Sequence, residues 1–353
     1  MLSRMVSTGF HGCMAQVRSK MASRLIALKM TVEAEILERH PAREWLPKGH
    51  SYDHKKILPS LSAEICGYLQ YKAPPPDRQR QVQRLLQKLE GRIRASDVFR
   101  GYISTSGPLL RVVGSYVNGT ASCTSPIDVC VLIITPNSME TVADPKLWFA
   151  FSKILLNTGY TLVSTQFYQS IVRTVVVHTE LPVALHFYYH GKELMNNTER
   201  AIQLFKESPS LQQLHCLIKA ICRHKCIHGF THGNISSHYI FLLIQAFALT
   251  LLPKQLTETV GSLLILFTNF ISNYDESIYY ADVHSGNILC EQKIHRTEPY
   301  FEVRSASSYD MHDVPYKYCV FKDTMMEISR LLRHYESPGV AAPISMVFEL
   351  CGF

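Results

Sequence analysis

The sequence contains no apolar run long enough to cross a membrane. The longest, Tyr239 to Leu252, ends at Pro253, short of the roughly 18 residues a span requires, and reads as a buried helix. No uninterrupted apolar segment sits near Met1, so secretion is not expected. Ten cysteines are present, but they are scattered without the spacing of a disulfide framework, which excludes a stapled secreted domain and fits a reducing compartment. Charged residues make up only 18% of the chain against 46% hydrophobic, which excludes disorder by composition. Aspartate is locally absent: none occurs between Asp144 and Asp275. No internal repeat is visible.

With 353 residues, the chain exceeds the size at which one core usually stops growing, so two packed subdomains are expected. The net charge of +7 is unevenly placed. Residues 1–100 carry 18 basic and 9 acidic side chains, leaving 18 of the 36 basic and 20 of the 29 acidic residues for the rest. A basic leader on a neutral body points to an anionic partner such as nucleic acid, to a targeting segment, or to a solvated basic face. The first acid is Glu33, after Arg4, Arg18, Lys20, Arg24 and Lys29. That composition matches a mitochondrial presequence, and equally an extension upstream of a later start at Met5, Met14, Met21 or Met30. The cytoplasm is the expected compartment, with the mitochondrion and nucleus as alternatives.

Residues 1–59 read as a weakly structured leader. From Leu61 the pattern is helical, and Pro74-Pro75-Pro76-Asp77 stops one helix and starts another. In the second, Val82, Leu85, Leu86 and Leu89 recur at helical spacing, while Arg78, Arg80, Lys88, Arg92 and Arg94 are assigned to a basic, RNA-facing surface. Residues 60–100 are expected to pack on the helical domain. From Leu109 the period changes to that of strands, at 109–113, 127–135, 172–179 and 182–189, with a helix at 146–157. Residues 101–197 therefore read as mixed α/β. Residues 198–353 read as helical, at 198–207, 211–228, 236–252 and 256–273, followed by an irregular tail with a last helix near 323–334.

Gly114-Ser115 closes a predicted strand thirteen residues before Asp128 on the next. This spacing resembles the DNA polymerase β-type nucleotidyltransferases. There, a Gly-Ser turn presents backbone N–H groups to a triphosphate, and carboxylates two residues apart on a strand hold two Mg²⁺ ions. Val113 to Gly119, together with Ser125 to Val131, is similar to the noncanonical cytoplasmic poly(A) polymerases and terminal uridylyltransferases. So are Leu217-Ile-Lys219 followed by Gly233 to His238, the pair Asn197-Thr198, and Gly261 to Asp275. The resemblance implies an α/β palm, a small mixed sheet with flanking helices, joined to an all-helical poly(A)-polymerase-associated domain with a cleft between them. It also implies work at RNA 3′ ends, Mg²⁺ or Mn²⁺ if active, and target choice supplied by a protein partner.

The same resemblance exposes losses. Pro126 stands where the first carboxylate of the family's Asp-x-Asp belongs, and only Asp128 survives. Counting back from Thr198 to the third carboxylate reaches His186, and only Glu180 and Glu193 are available as substitutes. A slipped alignment offers Cys130, a poor Mg²⁺ ligand. One aspartate cannot offset the repulsion of two divalent ions, so an inactive RNA- or partner-binding protein is expected. An active adenylyl- or uridylyltransferase with a rearranged metal site is the alternative.

Nucleotide-holding parts remain. Gly114, Ser115, Asn197, Thr198, Lys219, Arg223, Ser236, Ser237 and His238 fall at the family's nucleotide-contacting positions, so ATP or UTP binding without turnover is implied. The same residues also suit plain scaffold roles, Ser236-Ser237 as a helix cap and Lys219 as solvated surface. Near the end, Tyr318 to Asp323 lacks the acidic-Pro-Phe loop of the family. Two competing patterns stand outside this reading. Asp282 to Leu289 resembles a small-molecule kinase loop through Asp282 and Asn287, but lacks an upstream Gly-rich loop. Cys222, Cys226, His228 and His232 offer zinc-ligand types at irregular spacing among cationic neighbours.

Overall fold

The computed structural model describes residues 45–46, 49–52, 57–102, 107–132, 145–168, 171–189, 192–229, 234–251, 254–275, 279–282, 287–290, 303–304, 317–343 and 345–351. The acid-free stretch 1–32, Gly233, His232 and Ser307 to Asp310 lie outside them, as does the side chain of Glu193. The chain divides into two units, Pro74–Thr198 and Ala42–Ala73 with Glu199–Phe353.

The first unit holds a five-stranded sheet. Its strands are β1 (Leu110–Val113), β2 (Ile127–Val131), β3 (Tyr160–Tyr168), β4 (Ile171–His178) and β5 (Leu185–Tyr189), in the order β1-β2-β5-β4-β3. Only β2 and β5 pair in parallel, so the sheet is mixed. One face buries Ile127, Val129, Val131, Leu185 and Phe187. The same core takes Val82, Leu85, Leu89 and Ile93 of α2 (Pro76–Arg94) and Leu147, Phe151 and Leu155 of α3 (Pro145–Asn157). Each such fully buried side chain contributes roughly 1.5–3 kcal/mol. Helix α2 therefore belongs to the sheet unit, not to the helical one expected from sequence. Its apolar stripe packs beside strand residues, and Arg78 ties it to the loop before β2. Strand β3, which the sequence pattern does not disclose, pairs along its length with β4.

In the second unit, α1 (Ile57–Lys72) packs with α5 (Pro209–His224), α7 (Val260–Asn273) and α9 (Met346–Cys351). Helices α4 (Lys192–Glu207), α6 (Ser237–Leu249) and α8 (Tyr318–Tyr335) contribute to the same core. Two contacts fix α1. A Cβ on Gly261 would lie 2.6 Å from Ser62 Oγ, so the α1–α7 approach requires glycine there. The buried Glu64 carboxylate accepts from Met346 N–H (3.0 Å), Val347 N–H (3.2 Å) and the Ser345 hydroxyl, satisfying the first turn of α9. Burial pushes the Glu64 pKa up, against these hydrogen bonds.

The expected leader ends before Pro59: Trp45 is buried, edge-on against Tyr68 at 5.3 Å between ring centroids. The expected all-helical domain also contains a small sheet, β6 (Tyr279–Asp282), β7 (Asn287–Cys290) and β8 (Val303–Arg304), in the order β7-β6-β8. Tyr318 to Asp323 is the start of α8, with Tyr318 and Phe321 fully buried. Among the described residues, no helix is long and apolar enough to cross a membrane.

Candidate functional site

Strand β1 ends at Val113, and Gly114 turns the chain with φ +68°. That left-handed backbone favours glycine. A Cβ there would also sit 2.9 Å from Asp128 Oδ2. The Gly114 N–H donates to Thr198 Oγ1 (2.9 Å), and the Thr198 hydroxyl donates to the Leu194 carbonyl (2.7 Å). Thr198 thus anchors the turn from α4, while Asn197 is half-buried beside it. The Ser115 carbonyl accepts from the N–H groups of Thr120 and Ala121. Arg78, only 7% exposed, donates to the Cys123 carbonyl (3.0 Å) and lies 3.4 Å from the Tyr116 hydroxyl. Arg78 is a clamp on this loop and not an RNA-facing side chain.

The parallel register sets Asp128 beside His186, and the antiparallel one sets Arg173 beside Tyr188. Alternation along strands puts Asp128, His186, Tyr188 and Arg173 on one face. Asp128 Oδ1 accepts from the Tyr188 hydroxyl (3.2 Å) and lies 3.1 Å from His186 Nδ1. Arg173 Nη2 is 3.2 and 3.3 Å from the two ring nitrogens of His186, and its Nη1 donates to Gln166 Oε1 (3.2 Å). The tautomer that suits both neighbours carries the proton on Nδ1, facing Asp128, and accepts from Arg173 at Nε2. The Asp128 side chain is 16% exposed and that of His186 8%. Burial, reinforced by the Asp128 charge, raises the Tyr188 pKa well above its ordinary value, so its hydroxyl remains a donor. The same two causes push the Cys130 thiol up to about 12.

The expected residues converge only in part. Asp128 and His186 meet, and Pro126, half-buried, supplies no donor. Glu180 instead sits in the β4–β5 turn, paired with Arg84 of α2 at 2.5 Å. Among the described residues, no group of three His, Cys, Asp or Glu is placed to hold a metal ion. One carboxylate, one of whose oxygens is already engaged by a tyrosine and a histidine, does not fit a two-metal centre. Sequence reasoning misses Arg173 and Tyr188. Tyr188 is accessible to strand alternation from His186, whereas Arg173 requires the β4–β5 register.

The second unit holds the other expected residues. Lys219 and Arg223 stand one turn apart on α5, but Lys219 is 4% exposed and not solvated surface. Burial pushes the neighbouring Cys216 thiol up to about 11, against the pull of both cations. His215 Nε2 lies 3.2 Å from the Ser237 carbonyl. Burial, followed by the Lys219 charge, holds its pKa down at about 3. Ser236 caps α6 by accepting from Tyr239 N–H (3.0 Å), and Ser237 Oγ lies 3.1 Å from His228 Nε2. His238 is half-buried, its ring 6.3 Å from that of Phe241.

The competing patterns resolve locally. Cys226 (φ +53°) ends α5 in the left-handed conformation: its N–H donates to the Arg223 carbonyl, and Ile227 N–H donates to the Cys222 carbonyl. Cys222 lies in the hydrophobic core with its thiol pushed far up by burial, and Cys226 is exposed, so the two do not form half of a zinc site. Asp282 and Asn287 face each other as paired residues of the β6–β7 hairpin.

No family model and no curated protein matches the chain. Solved structures do. The Cid1 poly(U) polymerase bound to Mg 3′-dATP superposes with a TM-score of 0.65 at 15% identity, covering 84% of this chain and 99% of the other. GLD-2 in the GLD-2/RNP-8 complex gives 0.63 at 15%, covering 84% and 98%. The polymerase core of TRAMP, an RNA surveillance complex, gives 0.63 at 14%, covering 89% and 95%. The chain has the nucleotidyltransferase fold of the noncanonical poly(A) and poly(U) polymerases. That fold leaves no support for the kinase reading of Asp282 and Asn287.

Proposed function

We propose that this chain is a terminal-nucleotidyltransferase-like protein of RNA 3′ ends that binds RNA without extending it. The observation that carries the reading is the state of Asp128: its carboxylate is engaged by Tyr188 and His186, and Pro126 brings no second carboxylate. An active palm presents carboxylates to two cations, whereas here the remaining one serves as an internal acceptor. Within the sheet unit, Gly114, Ser115 and Asn197 are the residues proposed to hold ATP or UTP. A protein partner is proposed to supply target choice, as GLD-2 is solved in complex with RNP-8 and TRAMP is itself a complex. The proposed compartment is the cytoplasm, with the mitochondrion as the alternative.

The test is incubation of the purified chain with an RNA oligonucleotide, ATP or UTP, and Mg²⁺ or Mn²⁺. No lengthening of the RNA is expected. Tail extension that disappears on Asp128→Ala would overturn the reading, because it would make Asp128 a working metal ligand.

A further inference from the structure

Helix α2 separates its basic residues into two sets. Arg78 and Arg94 are engaged within the protein: Arg78 holds the Cys123 carbonyl, and Arg94 pairs with Glu90 (2.6 Å) and the Gly107 carbonyl (2.6 Å). Arg80, Arg84, Lys88 and Arg92 are all exposed and recur every four residues. Positions four apart form a ridge along a helix. At 1.5 Å rise per residue, the four cations are about 6 Å apart and cover about 18 Å. A second exposed row, Gln79, Gln83 and Gln87, runs alongside and adds neutral donors and acceptors.

Two acids touch the ridge. Asp77 pairs with Arg80 (2.5 Å) and Glu180 with Arg84 (2.5 Å), and all four side chains are well exposed. Exposed pairs of this kind are weak and exchange readily for a better anion. Among the described residues, no acid pairs with Lys88 or Arg92.

The ridge lacks what other anionic partners need. A helix lying on a membrane inserts an apolar face, and the apolar face of α2 is consumed in the sheet core. A protein interface is centred on buried apolar or aromatic groups, and the ridge and its flank contain only Arg, Lys and Gln. A polyanion contacted through its backbone needs only regularly spaced cations with polar neighbours. We propose that the Arg80, Arg84, Lys88 and Arg92 ridge grips the phosphate backbone of single-stranded RNA without reading its sequence. This rests on the RNA-binding reading above and assigns it a surface.

The test titrates the full chain against labelled single-stranded RNAs of two unrelated sequences across a range of salt. The parent is compared with the variant Arg80→Gln, Arg84→Gln, Lys88→Gln, Arg92→Gln, whose new residues are equally good helix formers at exposed positions; circular dichroism checks that it folds. With four cations withdrawn from the phosphates, the slope of log K against log salt is expected to fall by up to about 2.8 for both sequences. Glu180→Gln, which releases Arg84, is expected to tighten binding severalfold. An unchanged slope in the quadruple variant overturns the ridge while leaving the RNA-binding reading in place. Absence of RNA binding by the parent overturns both. Binding to phosphatidylserine vesicles that the variant loses, with RNA binding unaltered, overturns RNA as the occupant.

Discussion

Removing the Asp128 carboxylate separates a metal pocket from a hydrogen-bonded network. In a pocket built for cations, the carboxylate gains little from its surroundings without metal, and its loss is neutral or stabilising to the fold. Here Asp128 Oδ1 accepts from Tyr188, whose hydroxyl lies in a buried side chain, and faces His186 Nδ1 at 3.1 Å. Asp128→Ala leaves both donors without that acceptor. A buried donor stripped of its partner costs about 1–3 kcal/mol. Because the Asp128 side chain is 16% exposed, entering water recovers part of this, and the expected loss is roughly 2–4 kcal/mol in all. Asp128→Asn keeps one acceptor oxygen and is expected to lose about 1 kcal/mol. The two tryptophans provide the assay, since Trp45 belongs to the helical unit and Trp148, bonded to Thr174 Oγ1 at 3.0 Å, to the sheet unit. In a Trp45→Phe background, Trp148 fluorescence during urea unfolding follows the sheet unit alone. A midpoint for Asp128→Ala equal to or above the parent's would refute the network. So would a double-mutant cycle with Tyr188→Phe in which the two losses add within about 0.5 kcal/mol, since contacting partners couple by more than that.

Two further outcomes follow from the helical unit. His215 is held neutral, with a folded pKa of about 3 against 6.5 unfolded, so the unfolded chain binds the extra proton and stability falls as pH drops below 6.5. His215→Leu is expected to lower stability at pH 7 but to remove about 1.4 kcal/mol per pH unit from the slope between pH 6 and 4, as read by urea titrations at each pH; an unchanged slope contradicts the burial of a neutral ring. Gly261→Ala puts a Cβ 2.6 Å from Ser62 Oγ and 3.0 Å from the Leu58 carbonyl. Overpacking of this kind is expected to cost about 1–3 kcal/mol, and Ser62→Ala is expected to rescue only part of it because the carbonyl contact remains; thermal unfolding checks both.

The division between what the sequence discloses and what it conceals follows from which interactions are local. Gly114 and Asp128 are legible because a turn and the next strand lie close along the chain. Their physical link, the approach of Asp128 Oδ2 to the missing Cβ, matches the sequence spacing. Counting back from Thr198 reaches His186, and the parallel strand register sets it beside Asp128. Arg173 joins them only through β4, whose position against β5 no local pattern fixes. The true place of Arg78 is legible in helical phase. Arg78, Val82, Leu85, Leu89 and Ile93 share the stripe that faces the core, whereas Arg80, Arg84 and Lys88 lie away from it. Near the end of the helix phase no longer sorts them: Arg92 lies close to the stripe yet is exposed, and Arg94 lies away from it yet bonds Glu90 and the Gly107 carbonyl. The sheet at β6–β8 escapes the sequence pattern because its strands are four residues or fewer, too short for a period-two alternation to emerge.

The interior groups of both units share a feature that bears on what the protein can do. Tyr188, Cys130 and His215 are all held in their neutral forms, chiefly by burial. Groups fixed in this way do not change charge near neutral pH. They behave as permanent donors and acceptors that stiffen the frame around Gly114 and at the start of α6. Among the cations that face solvent, those on α2 are ordered at regular spacing. In the reading proposed above the polyanion is held by this outer row of cations, so salt is the variable expected to release it.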